Sequence, residues 1–249
     1  MKNCFVGFYG LTRSLSNTID SLKRNIFQPL IDNDYLIDIG MHTYNLEKLY
    51  NVRSNEINIK LDTNEWKLLS PEYISITSQE HCDIELINIY NRSKENGDAW
   101  NDNYASLLNM LRQLYSLNIL ISKIPNKNYD MLIIIRPDIY YWNKLNIRYI
   151  ESYIDNKTIF IPDYGHYKNG LNDRGAIGLL SSITKWGKRI RLILKYNKKL
   201  HSEQFNKYVL YKYNLNIRYI NLYGSRVRAN GKFKHDKSLL RYLKYNKYI

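Results

Sequence analysis

Apolar positions along the chain fall into short runs of two different periods. Lys2 to Tyr9 (KNCFVGFY) is rich in aromatic and β-branched residues and predicts a buried first strand. After a tight turn at Gly10–Arg13, Ile19, Leu22, Ile26 and Leu30 recur at three- and four-residue steps. That spacing predicts a helix from about Ser14 to Asn25. Tyr35 to His42 reads as a second strand, and residues 45 to 80 as short strands and loops. Between Asn103 and Lys123, Leu107, Met110, Leu111, Leu114, Leu117 and Ile121 form one stripe, predicting a helix that Pro125 ends. Tyr129 to Tyr141 contains the apolar run Met131 to Ile135, leading straight into Arg136-Pro137-Asp138. Such a run predicts a central strand covered on both faces. Thr158 to Pro162 reads as a shorter strand, residues 176–196 and 202–213 as helices, and Arg218 to Leu222 as a late strand. This alternation predicts an α/β fold, a single Rossmann-like domain with a mainly parallel central sheet and a basic helical C-terminal elaboration.

The 249 residues are 44% hydrophobic and 24% charged, as in an ordinary globular domain, which excludes wholesale disorder, collagen-like repeats and a coiled-coil rod. No apolar run approaches the roughly 20 residues of a membrane span. The N-terminus carries no small-residue cleavage site after its apolar run, and reads as a strand of the mature fold. Two cysteines, Cys4 and Cys82, are too few for a disulfide scaffold and fit a reducing, cytoplasmic setting. His42 and His81 lack metal-ligand spacing and read as structural. The 24 Tyr and 30 Asn, with abundant Ile and Lys, follow AT-rich codons such as those of a large DNA virus.

Charge changes the picture most. Residues 1 to 183 carry 19 Lys/Arg against 21 Asp/Glu, whereas residues 184 to 249 carry 18 against 2, Glu203 and Asp236. The last quarter thus holds the whole excess of the net +14 and implies an anionic partner. From Lys232 to Tyr248, Lys and Arg interleave with Tyr and Leu, and Leu239, Tyr242 and Leu243 fall at helical spacing. The tail, residues 232–249, therefore reads as a basic amphipathic helix after a domain of residues 1–231.

Open α/β sheets bind ligands beyond the carboxyl ends of their strands, and four polar clusters stand at such places. Gly7-Phe8-Tyr9-Gly10-Leu11-Thr12-Arg13 offers glycine-permitted backbone approach and a following helix N-terminus. It matches neither the P-loop nor the dinucleotide fingerprint. Arg136-Pro137-Asp138 places a charged pair at the end of a buried strand, where Asp138 suits a hard cation and Arg136 a phosphate or a carboxylate. The stretch from Asp163 through His166 to Asn172-Asp173-Arg174 suits a hydroxyl-rich ligand, and an Asp there can accept a proton from an attacking hydroxyl. His201-Ser202-Glu203 supplies a rare acid in the basic quarter, and Arg226 and Arg228 alternate on one face, as a diphosphate clamp requires.

Taken in order, these motifs (Gly-Phe-Tyr-Gly-Leu-Thr-Arg-Ser-Leu, Ile-Asp-Ile-Gly-Met-His-Thr-Tyr, Gln113-Leu-Tyr115, Arg136-Pro-Asp138, Asn172-Asp-Arg174 and His201-Ser-Glu203) resemble GT-A-like glycosyltransferases. The likeness is to those of giant viruses and of bacterial surface-polysaccharide loci, and runs over roughly residues 3 to 231. It implies a GT-A-like domain that transfers a sugar from a nucleotide donor, such as a UDP-sugar, to a hydroxyl on a glycan or glycoprotein. It also implies nucleotide binding by Phe8, Tyr9, Gly10, Thr12, Arg13 and Arg136. Asn172, Arg174, Glu203, Arg226 and Arg228 fall to donor or acceptor binding, and Asp163 and Asp173 to sugar binding or to the catalytic base of an inverting displacement. A divalent cation, Mn²⁺ or Mg²⁺, would sit on Asp138, but Arg136 occupies the place of the first carboxylate of the usual Asp-x-Asp motif, which leaves metal dependence open. The implied setting is the cytoplasm, the host's for a viral protein, with virion association as a variant. Two rival readings stand beside it: a nucleic-acid-binding protein using the basic quarter and its tyrosines, and a non-catalytic transferase-like virion or scaffold protein. Against the first, no recognised nucleic-acid module appears and the acidic clusters lie outside the basic block.

Overall fold

Alternation along the first strand divides the core in two. In β1 (Lys2–Tyr9), Cys4, Val6 and Phe8 join one buried apolar cluster while Phe5 and Tyr9 join another on the opposite face. The computed structural model describes residues 1–248, so Ile249, the last residue of the expected tail, lies outside the described residues. β1 leads into α1 (Leu15–Leu22), a wide π-type turn over Lys23–Phe27, and α2 (Gln28–Ile31). β2 (Tyr35–Asn45), the hairpin of β3 (Lys48–Asn51) and β4 (Glu56–Lys60), and β5 (Tyr73–Ser78) follow. Next come α3 (Gln79–Lys94), α4 (Ala105–Ser122), β6 (Met131–Ile135), β7 (Ile139–Tyr141), α5 (Ile147–Glu151), β8 (Thr158–Pro162) and β9 (Gly175–Gly178). The chain closes with α6 (Leu180–Gly187), α7 (Ser202–Lys212), β10 (Asn216–Ile220), β11 (Gly224–Val227), β12 (Phe233–Lys234) and α8 (Lys237–Tyr245).

Among the described residues the main sheet has seven strands in the order β10-β8-β9-β6-β1-β2-β5. Its pairings are parallel except at β9, which runs antiparallel to both neighbours. The fold is therefore α/β with a mainly parallel sheet. Apolar residues of α1, α2 and α5 (Leu15, Leu22, Leu30, Ile150) cover one face, and those of α4, α6 and α7 (Leu117, Ile121, Trp186, Leu210) the other. Two expectations are corrected. The run from Tyr129 to Tyr141 is not one strand: Pro137 has no N–H to donate, and the chain turns there. β7 then leaves the main sheet for a small antiparallel one with β11 and β12. Nor is residue 176 the start of a helix, because Gly175, Ala176 and Gly178 lack the bulk that would keep them out of the gap between β6 and β8.

The C-terminal segment packs onto the body. β12 pairs with β11, and α8 buries Leu239 and Leu243 against Tyr164 while the Tyr242 ring lies 4.0 Å from that of Tyr223. Among the described residues no helix is long and apolar enough to cross a membrane.

Candidate active site

A cavity of about 690 Å³ opens beyond the carboxyl ends of β1, β2 and β6. Gly10 makes this possible at the end of β1: with φ +96 it takes a conformation closed to most side chains, and its N–H donates to the His42 carbonyl and to Ser116 Oγ (3.2 and 2.8 Å). The chain thereby bends out of the sheet and brings Arg13 over the cavity. Among the described residues the walls carry ten Lys and Arg side chains against three acids, Asp138, Asp173 and Glu203. Such a surface attracts anions.

Asp138 sits under this positive wall. Its Oδ1 accepts from Arg136 Nε (2.8 Å), and its Oδ2 from Arg136 Nη2 (2.6 Å) and Arg13 Nη2 (2.8 Å). Burial opposes its charge, but the two guanidinium groups outweigh burial and hold its carboxyl well below the usual range. Glu56, fully buried in the β3–β4 hairpin, ties Arg13 and Arg228 together (3.2 and 3.3 Å). These residues do not fit a resident divalent cation. Both oxygens of Asp138 already serve arginines, and the place of a second carboxylate beside it is taken by Arg136.

Gln113 links this wall to the acids: Oε1 accepts from Arg136 Nη1 (2.7 Å), and Nε2 donates to Asp173 Oδ2 (3.4 Å). The Asp173 backbone is fixed from below by Tyr9, whose hydroxyl donates to its carbonyl (3.0 Å). Glu203 enters from the first turn of α7. Burial, and then the negative charge of Asp173, push its carboxyl up from 4.5 to about 7. His201 Nδ1 lies 3.2 Å from Glu203 Oε2 but lacks hydrogen-bond alignment, and burial lowers the imidazole's affinity for a proton. A buried carboxyl raised toward neutrality beside a second acid suits a general base.

Two expected results arise here. Because the folded state raises the Glu203 carboxyl, the folded protein takes up a proton between about 4.5 and about 7. Its contribution to stability is therefore full below about 4.5 and is lost as pH rises through about 7. Thermal unfolding across that window should show this slope, and Glu203→Gln should remove it. Glu203 is placed by close backbone approach, since Leu171 N–H donates to the Glu203 carbonyl (2.9 Å). A Cβ on Gly170 would run into the backbone of Glu203 and Gln204. Gly170→Ala is expected to cost about 1–3 kcal/mol and to displace Glu203. Unchanged melting and turnover would count against this account.

Arg174 and Arg226 complete the positive wall and share one acid, Asp236, which also accepts from the Tyr167 hydroxyl (2.7 Å). Asp236 is buried, yet its carboxyl is held below the usual range because the two arginines outweigh burial.

The structure brings together Tyr9, Gly10, Arg13, Arg136, Asp138, Asp173, Arg174, Glu203, Arg226 and Arg228 around the cavity. Four expected site residues are not among its walls. Phe8 points to the opposite face of the sheet from Tyr9, with its ring 6.3 Å from that of Phe27. Thr12 is buried in the turn, its carbonyl accepting from the Leu15 N–H. Asn172 is fully buried and clamps its own loop, donating to the Tyr164 carbonyl (2.7 Å) and accepting from the Arg174 N–H (2.9 Å). Asp163 is half exposed and faces His166 at 3.5 Å. Glu56, Gln113 and Trp100 had no assigned role in the sequence. Trp100 stacks on His201 at 5.3 Å, Arg53 lies over its ring at 5.6 Å, and all three side chains are part of the cavity wall. Only the separation of Asp236 from other acids in the basic quarter hinted at its part.

No family model matches the chain, and no curated protein matches it in sequence. Similar solved structures include mouse xyloside xylosyltransferase 1 in its apo form, at 9% identity, 88% of this chain, 85% of that chain and TM-score 0.45. Core-mannan synthase A of Aspergillus fumigatus in a Mn/GDP form is similar at 9% identity, 89% and 73% coverage and TM-score 0.48. The galactosyltransferase LgtC with donor and acceptor sugar analogues gives 9% identity, 88% and 73% coverage and TM-score 0.45.

Proposed function

We propose that this chain is a glycosyltransferase that moves a sugar from a nucleoside-diphosphate donor to a hydroxyl of a glycan or glycoprotein. One observation carries the reading: a single cavity at the carboxyl ends of parallel strands joins an arginine wall to the Asp173–Glu203 carboxyl pair. The ordered motifs of the sequence support the same reading. Glycosyl transfer needs both halves of such a site. The departing diphosphate carries negative charge that preorganised cations stabilise, and the acceptor hydroxyl must lose a proton to a nearby base. In this reading Arg136, Arg226 and Arg228 face the diphosphate. Glu203, titrating near neutrality, takes the acceptor's proton, and Asp173, fixed through Tyr9 and Gln113, orients the sugar hydroxyls.

Thermal unfolding against UDP-, GDP-, CMP- and dTDP-linked sugars, with and without Mn²⁺, tests the proposal. A donor at about 100 times its dissociation constant should stabilise the fold by roughly 2.7 kcal/mol. Release of the nucleoside diphosphate from the stabilising donor is the expected activity. If no donor shifts the melting point while single-stranded DNA does so in a salt-sensitive way, the nucleic-acid reading replaces this one.

A further inference from the structure

The charges of the arginine wall do not balance. Ion pairs join Arg13, Arg136 and Arg228 in one group through Glu56 and Asp138, and Arg174 and Arg226 in a second through Asp236; both groups stand on the wall of the same cavity and make up its network of charge. The carboxylates ion-paired to them among the described residues are Glu56, Asp138 and Asp236, all buried, so each group has one more guanidinium than carboxylate in direct contact, while Asp173 reaches Arg136 only through Gln113. None of the five guanidinium side chains is more than 22% exposed, and Arg13 and Arg174 are nearly closed off from solvent. A surplus of like charge with so little water is costly unless an anion arrives. The strain is visible in the geometry: Arg13 Nε and Arg226 Nε are buried and have no hydrogen-bond partner among the described residues. It is visible in the acid–base balance as well, because burial, then Arg13 and Arg226, lower Arg228 to about 10.

A diphosphate esterified at both ends, as in a nucleotide sugar, carries two negative charges, one for the extra guanidinium of each group. A divalent cation bound with it would restore the surplus, and would have to compete with Arg136 and Arg13 for the oxygens of Asp138. We propose that this network holds the donor's diphosphate directly, guanidinium to phosphate, with no divalent cation between them. The inference rests on the donor reading above and narrows it. Arginine is suited to the task because its planar fork meets phosphate oxygens bidentately.

Calorimetric titration of the full chain with UDP, GDP and inorganic pyrophosphate, in EDTA and in Mn²⁺, tests this. Pyrophosphate and at least one nucleotide should bind in EDTA with an affinity within about threefold of that in Mn²⁺. Arg226→Met should weaken binding by about tenfold or more, the loss of a hydrogen bond to a charged group. Arg136→Asp lowers the charge of the wall by two, releases Oδ1 of Asp138 and sets a second carboxylate beside it. It should abolish binding in EDTA and make binding depend on Mn²⁺, with the melting point in the absence of ligand confirming that the variant folds. Binding of the parent protein only in Mn²⁺ overturns the cation-free cradle and leaves the transferase reading standing. Binding of no probe under either condition overturns both. An Arg136→Asp variant that is folded and binds in EDTA as the parent does also overturns the inference.

Discussion

Glu203→Gln is expected to lower turnover by about 10²- to 10⁴-fold, the usual loss when a positioned general base is removed. The amide keeps the size of the side chain and cannot accept the proton, so donor affinity should stay near that of the parent. A loss confined to kcat is therefore the signature. The parent's rate should rise with pH through about 7, where burial and Asp173 place the Glu203 carboxyl, and the variant should lack that limb. Asp173→Asn should also reduce turnover. Because the two acids interact, the double variant should lose less than the product of the single losses. The measurement is release of nucleoside diphosphate from the donor that stabilises the fold. A Glu203→Gln enzyme within about threefold of the parent would remove this residue from the base role.

Asp236→Ala should be the most damaging change for stability. It leaves the buried Arg174 without its acid and loosens Arg226 and Tyr167. Breaking a buried pair by removing one partner costs about 3–5 kcal/mol. In a chain of this length that corresponds to a melting point lower by about 10 °C. The paired replacement Arg174→Met with Asp236→Leu should recover much of the stability, since it buries no lone charge. Donor binding should not recover with it, because a guanidinium of the phosphate wall is gone. Thermal unfolding and donor titration of the two variants separate a structural loss from a functional one. Equal recovery of both would place Arg174 outside the binding machinery.

Much of the core was legible because bulk and burial coincide. The apolar runs of β1 and β6 and the stripe of α4 mark buried faces directly. β9 was read as the start of a helix because Gly-Ala-Ile-Gly presents almost no side chain, and it is that lack of bulk which admits it to the sheet. α3 escaped because its buried face is thin. Cys82, Leu86 and Ser93 are its buried residues, Ile84 and Ile87 face solvent, and its start depends on the Ser78 cap. At the site, the arginines and Asp173 that the order of the motifs groups together line one cavity, since strand ends in such a sheet converge. That order failed where neighbours in sequence part company in space. Tyr9 reaches the cavity and Phe8 cannot, because adjacent residues of a strand face opposite ways. Glu56 was illegible for a different reason: its partners Arg13 and Arg228 are brought to it only by the tertiary fold.

The docking of the last helix also sets an order of events during synthesis. Arg174 is made well before Asp236, and until that acid leaves the ribosome the buried arginine has no counter-charge. β7 likewise waits for β11, a strand made more than eighty residues later. Arg13 and Arg136, by contrast, have Glu56 and Asp138 as partners as soon as the segment after β6 is made, while the edge of the main sheet waits for β10. The two halves of the arginine wall thus gain their counter-charges at different stages of synthesis, the Arg13–Arg136 half soon after β6 and the Arg174–Arg226 half only with the segment that leads into α8.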